Sequence, residues 1–178
     1  VEEPWAQGEG DGKVMKMSVS AMKWLKILHI VLVSLFFGGI LSSVTVNFTL
    51  GLSSYEDTLK SYKVIVLISD GVIRTGAVGT LAVAFVYGFF TSWGFFRHRW
   101  LTVKWILFIL QTFIGIFVVD KLMLANLNLL ETKGLKALGD PVFLHNHGLR
   151  NTFVLIQIGL TLVIFIISVI KPWKKKWK

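Results

Sequence analysis

Apolar residues in this chain come in four long runs, separated by short polar stretches. The runs are Trp24 to Phe48, Tyr62 to Trp93, Leu101 to Val119 and Thr152 to Ile170. Each approaches or exceeds the roughly 20 residues that a helix needs to cross a bilayer core. The pattern predicts an all-α protein, an integral membrane four-helix bundle in which residues 15–178 form one domain. Val1 to Val14, VEEPWAQGEGDGKV, is acidic and glycine-rich and reads as a flexible arm or tag. Met15 or Met17 would then be the native start.

Within each run the polar positions fall on one helical face. In the first, His29, Phe36, Ile40, Ser43 and Asn47 return to nearly the same angle, since residues spaced by three or four share a face. In the second, Asp70 and Arg74 are four apart and can pair. Two rows of small residues follow: Gly76, Thr80, Ala84, Gly88 and Ser92, then Gly71, Thr75 and Gly79. Such rows permit close helix approach in lipid. The third run aligns Lys104, Gln111 and Gly115, and the fourth aligns Arg150, Gln157, Thr161 and Ser168. Four inward stripes predict an interior suited to a cofactor, a quinone or a water path. The third connection, Asp120 to Leu149, is the longest, and its LANLNLLETKGLKALG segment reads as an amphipathic helix lying on the outer surface.

Composition agrees with this picture: 54% of residues are hydrophobic and mean hydropathy is +0.68. The net charge of +9 is explained by topology rather than nucleic acid. Twelve lysines and arginines fall on the side of the termini and the second connection, six on the other, and Arg74 lies within a span. The positive-inside rule then places both termini in the cytoplasm, and KPWKKKWK after Ile170 becomes a basic interfacial anchor. The absence of cysteine excludes disulfides and thiolate chemistry. No dinucleotide-binding, P-loop, zinc-protease or serine-triad pattern is present.

The candidate chemistry rests on a few ionisable groups. An imidazole inside a span is costly and reads as functional, so His29 is the leading candidate, as haem ligand or proton carrier, with Lys104 assisting or snorkelling to the interface. His145 and His147 form an HNH that either binds a metal or decorates the loop. Arg74 and Arg150 either clasp an anionic group or, for Arg74, pair with Asp70. His98 belongs to the basic belt. Met15, Met17 and Met22 form a weak copper(I) pattern.

The pattern Trp24, Lys26, His29 followed by Gly38-Gly39, the entry Trp100-Leu101 with Lys104, and the exit Lys171-Pro172-Trp173 resemble a superfamily of small four-helix membrane proteins. It includes the copper-resistance D domain, the bacterial haem-containing protoporphyrinogen IX oxidase and uncharacterised members, to which this chain is most similar. The resemblance implies haem b, with the key catalytic pair at His29 and Lys104. It implies an oxidoreductase or electron-transfer protein of the bacterial inner membrane, passing electrons from a buried substrate or porphyrin to quinone. Arg74 and Arg150 would be further cofactor-binding residues, and His29, His145 and His147 the metal-binding candidates. Protoporphyrinogen IX oxidation itself, copper or small-solute transport, and a role as a homo-oligomer or membrane-complex subunit are the competing expectations.

Overall fold

A computed structural model of the protein describes residues 18–50, 52–90 and 98–172. Among these the architecture is four long helices: α1 (Val19–Leu50), α2 (Tyr55–Phe90), α3 (Arg99–Gly139) and α4 (Pro141–Ile170). All four are long and apolar enough to cross a membrane, the architecture of a multi-pass membrane protein. They run up and down, so Val19, Phe90, Arg99 and Ile170 share the terminal end of the bundle. Leu50, Tyr55, Gly139 and Pro141 share the far end. Val1 to Val14, Met15, Met17 and the tail from Trp173 lie outside the described residues.

Helix boundaries follow local chemistry. Ser54 caps α2 by accepting from the Asp57 amide at 3.1 Å. At the end of α3 a short tight turn, Gly134–Gly139, follows Gly134, whose φ of 56° suits a residue without a Cβ. Asp140 then caps α4 by accepting from the Val142 amide at 2.8 Å, with Pro141 in the first turn. Lys171, at φ 47°, ends the helix in the left-handed region before Pro172.

The third connection differs from expectation. Residues Asp120–Lys133 prolong α3 instead of lying across the surface, and α4 begins at Pro141, well before Thr152. The cause is a second core at the far end. Tyr62, Ile65, Met123, Leu130, Ala137 and Phe143 pack there, and Leu130, Ala137 and Phe143 have no exposed surface at all. The helical leucine spacing has its cause here: Leu127, Leu129, Leu130 and Leu138 pack in this core, while Leu124 and Leu135 stay exposed.

The other core is central and holds Phe36, Ile40, Ala77 and Val154. Here α1 and α2 approach very closely. A Cβ on Gly76 would sit 2.5 Å from the Phe36 amide nitrogen, and one on Gly79 would sit 2.6 Å from Leu32. Both small-residue rows thus reach α1, although Gly71 meets nothing.

Two helices carry π-turns, at Ser69–Ile73 in α2 and Gly115–Val119 in α3. The two regions are tied by the Ser69 hydroxyl donating to Asp120 at 2.9 Å, Asp120 following directly on the second turn. Each π-turn inserts one residue and rotates the later face of its helix.

Candidate functional sites at the two ends of the bundle

The predicted polar stripes meet in the interior, where they close on one another. Gln157 donates to the Gln111 carbonyl at 3.0 Å, and the Thr161 hydroxyl lies 3.1 Å from Gln111 Oε1 and 2.8 Å from the Gln157 carbonyl. Gly115 leaves room for this, since a Cβ there would come within 3.0 Å of Gln157 Nε2. The middle of the bundle is therefore a side-chain clamp. The chemistry lies toward the ends.

At the terminal end, His29 on α1 is half-buried with its Nδ1 fully buried and without a hydrogen-bond partner. Tyr87 of α2 meets the imidazole edge-on, with ring centroids 6.3 Å apart, and reaches the Met22 carbonyl at 3.4 Å. Lys104 of α3 lies close enough for its charge to act on His29. Its Nζ stands 5.8 Å from the centre of the Trp100 indole, and Lys171 Nζ stands 5.9 Å from the same ring. The acidic residues of the described chain are Glu56, Asp57, Asp70, Asp120, Glu131 and Asp140, and all lie in the far half. The terminal end is cationic without a described carboxylate.

The predicted partners of His29 do not all join it. Arg74 is held by Asp70 at 2.9 Å and by Asp120 at 3.3 Å, so two carboxylates already satisfy it. Arg150 lies near Asn47, and 18 residues of α1 separate Asn47 from His29. At 1.5 Å per residue that is about 27 Å, too far for His29 and Arg150 to hold one porphyrin. His145 and His147 sit two apart in the first turns of α4, so their side chains diverge and cannot close on one ion. His145 is exposed, while both ring nitrogens of His147 are engaged by Tyr62 and Asn151. Among the described residues, no group of three or more His, Cys, Asp or Glu is placed to hold a metal.

The far end carries a buried polar chain instead. Arg150, 2% exposed, donates from Nη2 to Asn47 at 3.1 Å, and its guanidinium lies 5.3 Å from the Tyr62 ring centre. Asn47 donates to Asn151 at 3.3 Å, Asn151 faces His147 Nε2 at 3.1 Å, and His147 Nδ1 lies 2.8 Å from the Tyr62 hydroxyl. Asn126 then donates to Tyr62 at 3.0 Å and to the Phe143 carbonyl at 2.9 Å. Sequence reasoning placed Asn47 and Arg150 on inward faces but missed Tyr62, Asn126 and Asn151. Tyr87 was missed as well: α2 carries all three tyrosines of the chain, Tyr55, Tyr62 and Tyr87, and nothing in the sequence sets Tyr87 apart.

No protein-family profile, curated protein or solved structure matches the chain. A haem b can be tested against the residues alone. A buried imidazole nitrogen without a partner, a phenol and two lysines form a donor set that suits an iron ligand and anionic propionates. The fit is confined to the terminal end, and neither Arg74 nor Arg150 contributes.

Proposed function

We propose that this is a multi-pass protein of the bacterial cytoplasmic membrane, with both termini cytoplasmic, that binds haem b at His29 and works in oxidoreduction or electron transfer. The orientation follows the twelve-to-six excess of lysine and arginine on the terminal side. The observation that carries the haem reading is the buried, unpartnered Nδ1 of His29 beside Tyr87 and Lys104. A buried polar atom without a partner in a low-dielectric interior costs free energy that a ligand can recover.

In this reading His29 would hold the iron through a neutral imidazole. Lys104 and Lys171, flanking Trp100, supply the positive charge that fixes anionic side groups. Tyr87 packs against the imidazole and restricts its orientation. When bound, the haem would supply one-electron chemistry, with a buried reduced substrate of the porphyrin class as donor and a membrane quinone as acceptor.

The test is an absorption spectrum of the detergent-purified protein, oxidised and dithionite-reduced, with His29→Ala alongside. The expected result is a Soret band that shifts on reduction and is lost in the variant. A protein that stays colourless after haem is supplied would overturn the proposal.

A further inference from the structure

Arg150 is an unusual arginine. It is 2% exposed, Nε and Nη1 have no hydrogen-bond partner, and what it does meet is uncharged: Nη2 donates to Asn47, and the Tyr62 phenol lies against the guanidinium. Within the described residues no carboxylate forms an ion pair with it. Asp70 and Asp120 are held by Arg74, Glu131 by Lys63 and Asp140 by Lys133. A guanidinium keeps its charge at any physiological pH, so it cannot escape the cost of burial by losing a proton. The neutral Asn47 and Tyr62 offset only part of the cost of burying that charge, which an anion would complete.

The surroundings indicate where an anion enters. Arg150 and Asn47 line a narrow cleft between α1 and α4, with Asn151 beside them and Val44 and Val154 as apolar walls. There is room at the base for about one water-sized group. The rim is formed by Phe48, 69% exposed, and Leu155, 56% exposed, both on the outer flank of the bundle. A charged base under an apolar, outward-facing rim matches a ligand that is anionic at one end and hydrocarbon beyond it.

We propose that Arg150, with Asn47, forms a binding site for the anionic oxygen head of an acyl-chain amphiphile, whose chain leaves the cleft over Phe48 and Leu155. The base admits a single anionic oxygen, which a planar carboxylate presents with less bulk behind it than a phosphodiester. The site is distinct from the His29 end and does not depend on haem.

The experiment measures equilibrium binding of radiolabelled oleate to the full chain in dodecyl maltoside, with unlabelled methyl oleate, dioleoyl phosphatidylglycerol and inorganic phosphate as competitors. Oleate should bind saturably and methyl oleate should not compete. Arg150→Met should lower affinity by roughly ten- to a hundredfold, the loss expected for charged hydrogen bonds. Asn47→Asp keeps the arginine and gives it an internal carboxylate, so it should block oleate while the helical circular dichroism is retained. That second variant separates loss of the site from loss of the fold. Competition by phosphatidylglycerol with the same dependence on both variants would support the site with a phosphodiester as its head. Equal competition by inorganic phosphate, absence of saturable binding, or binding unchanged in both variants would overturn the proposal.

Discussion

The hydroxyl of Tyr62 lies 2.8 Å from Nδ1 of His147, joining α2 to α4 across the far end of the bundle. Because the Asn151 amide nitrogen faces Nε2, that ring nitrogen is the acceptor and Nδ1 carries the hydrogen toward the phenol oxygen. Asn126 donates to the same oxygen. One phenol thus serves donors from two other helices, and the chain from Arg150 to Asn126 passes through it.

Tyr62→Phe removes that acceptor and strands two buried donors, His147 Nδ1–H and one hydrogen of Asn126. The expected loss is about 1–3 kcal/mol, read from unfolding in mixed detergent and denaturant. Combined with His147→Leu, the two changes should be non-additive by about 0.5–3 kcal/mol, since they share one network. Additive losses would show the two residues to be independent.

Gly76→Ala places a methyl group 2.5 Å from the Phe36 backbone nitrogen, where no side-chain rotation relieves it. Overpacking of this kind costs roughly 1–3 kcal/mol. Gly38→Ala is the control, because a Cβ there meets nothing within 4 Å. It should be neutral or stabilising by up to about 1 kcal/mol through helix propensity. Thermal unfolding of the pair decides the matter: equal midpoints would mean that α1 and α2 are not gripped at Gly76.

Thr161→Val deletes the hydroxyl shared by Gln111 and Gln157 and keeps its shape. Interhelical hydrogen bonds between membrane helices average about 0.6 kcal/mol, so a small loss is expected. A loss above about 2 kcal/mol would show that the clamp acts cooperatively. Unfolding of the single variant against the parent protein measures it.

Asp140 supplies the pH dependence. The Lys133 ammonium that hydrogen-bonds its carboxylate, aided by the Val142 amide, holds it below the usual value of 3.8. A carboxyl depressed in the folded state stabilises the fold above its unfolded pKa, and the effect fades as pH falls through the lower folded value. Asp140→Ala should therefore lower the unfolding midpoint clearly at pH 7. The difference should shrink steadily from about pH 4 downward. A difference that does not change with pH would assign the effect to capping geometry alone.

Much of the central fold was legible in periodicity. The stripe Phe36, Ile40, Ser43 and Asn47 is the buried face of α1, and Arg150, Gln157 and Thr161 are buried on α4. Those readings needed only a constant angle per residue. The far end was less legible because leucines facing a small protein core and leucines facing lipid have the same spacing. The sequence offers the HNH histidines as metal ligands or as loop residues, whereas Pro141 and Asp140 start a helix beneath them and turn them apart. The π-turns left no mark in the pattern, and Asp120 was read as a loop residue rather than as the second carboxylate on Arg74. At the terminal end the sequence singled out His29 and Lys104, but nothing in it announced that Tyr87 would be the ring against the imidazole.

Among the described residues the carboxylates are confined to the far half, and this has a consequence for how the protein would be held in an energised membrane. In the proposed orientation the cationic end faces the electrically negative cytoplasm. Carrying one positive charge outward against a potential of 100 mV costs about 2.3 kcal/mol. A dozen lysines and arginines against the four acidic residues of the N-terminal segment leave that side positive, so in this orientation the cell's own voltage would oppose inversion, and the bundle would behave as an electrical rod whose polarity sets which end meets each compartment.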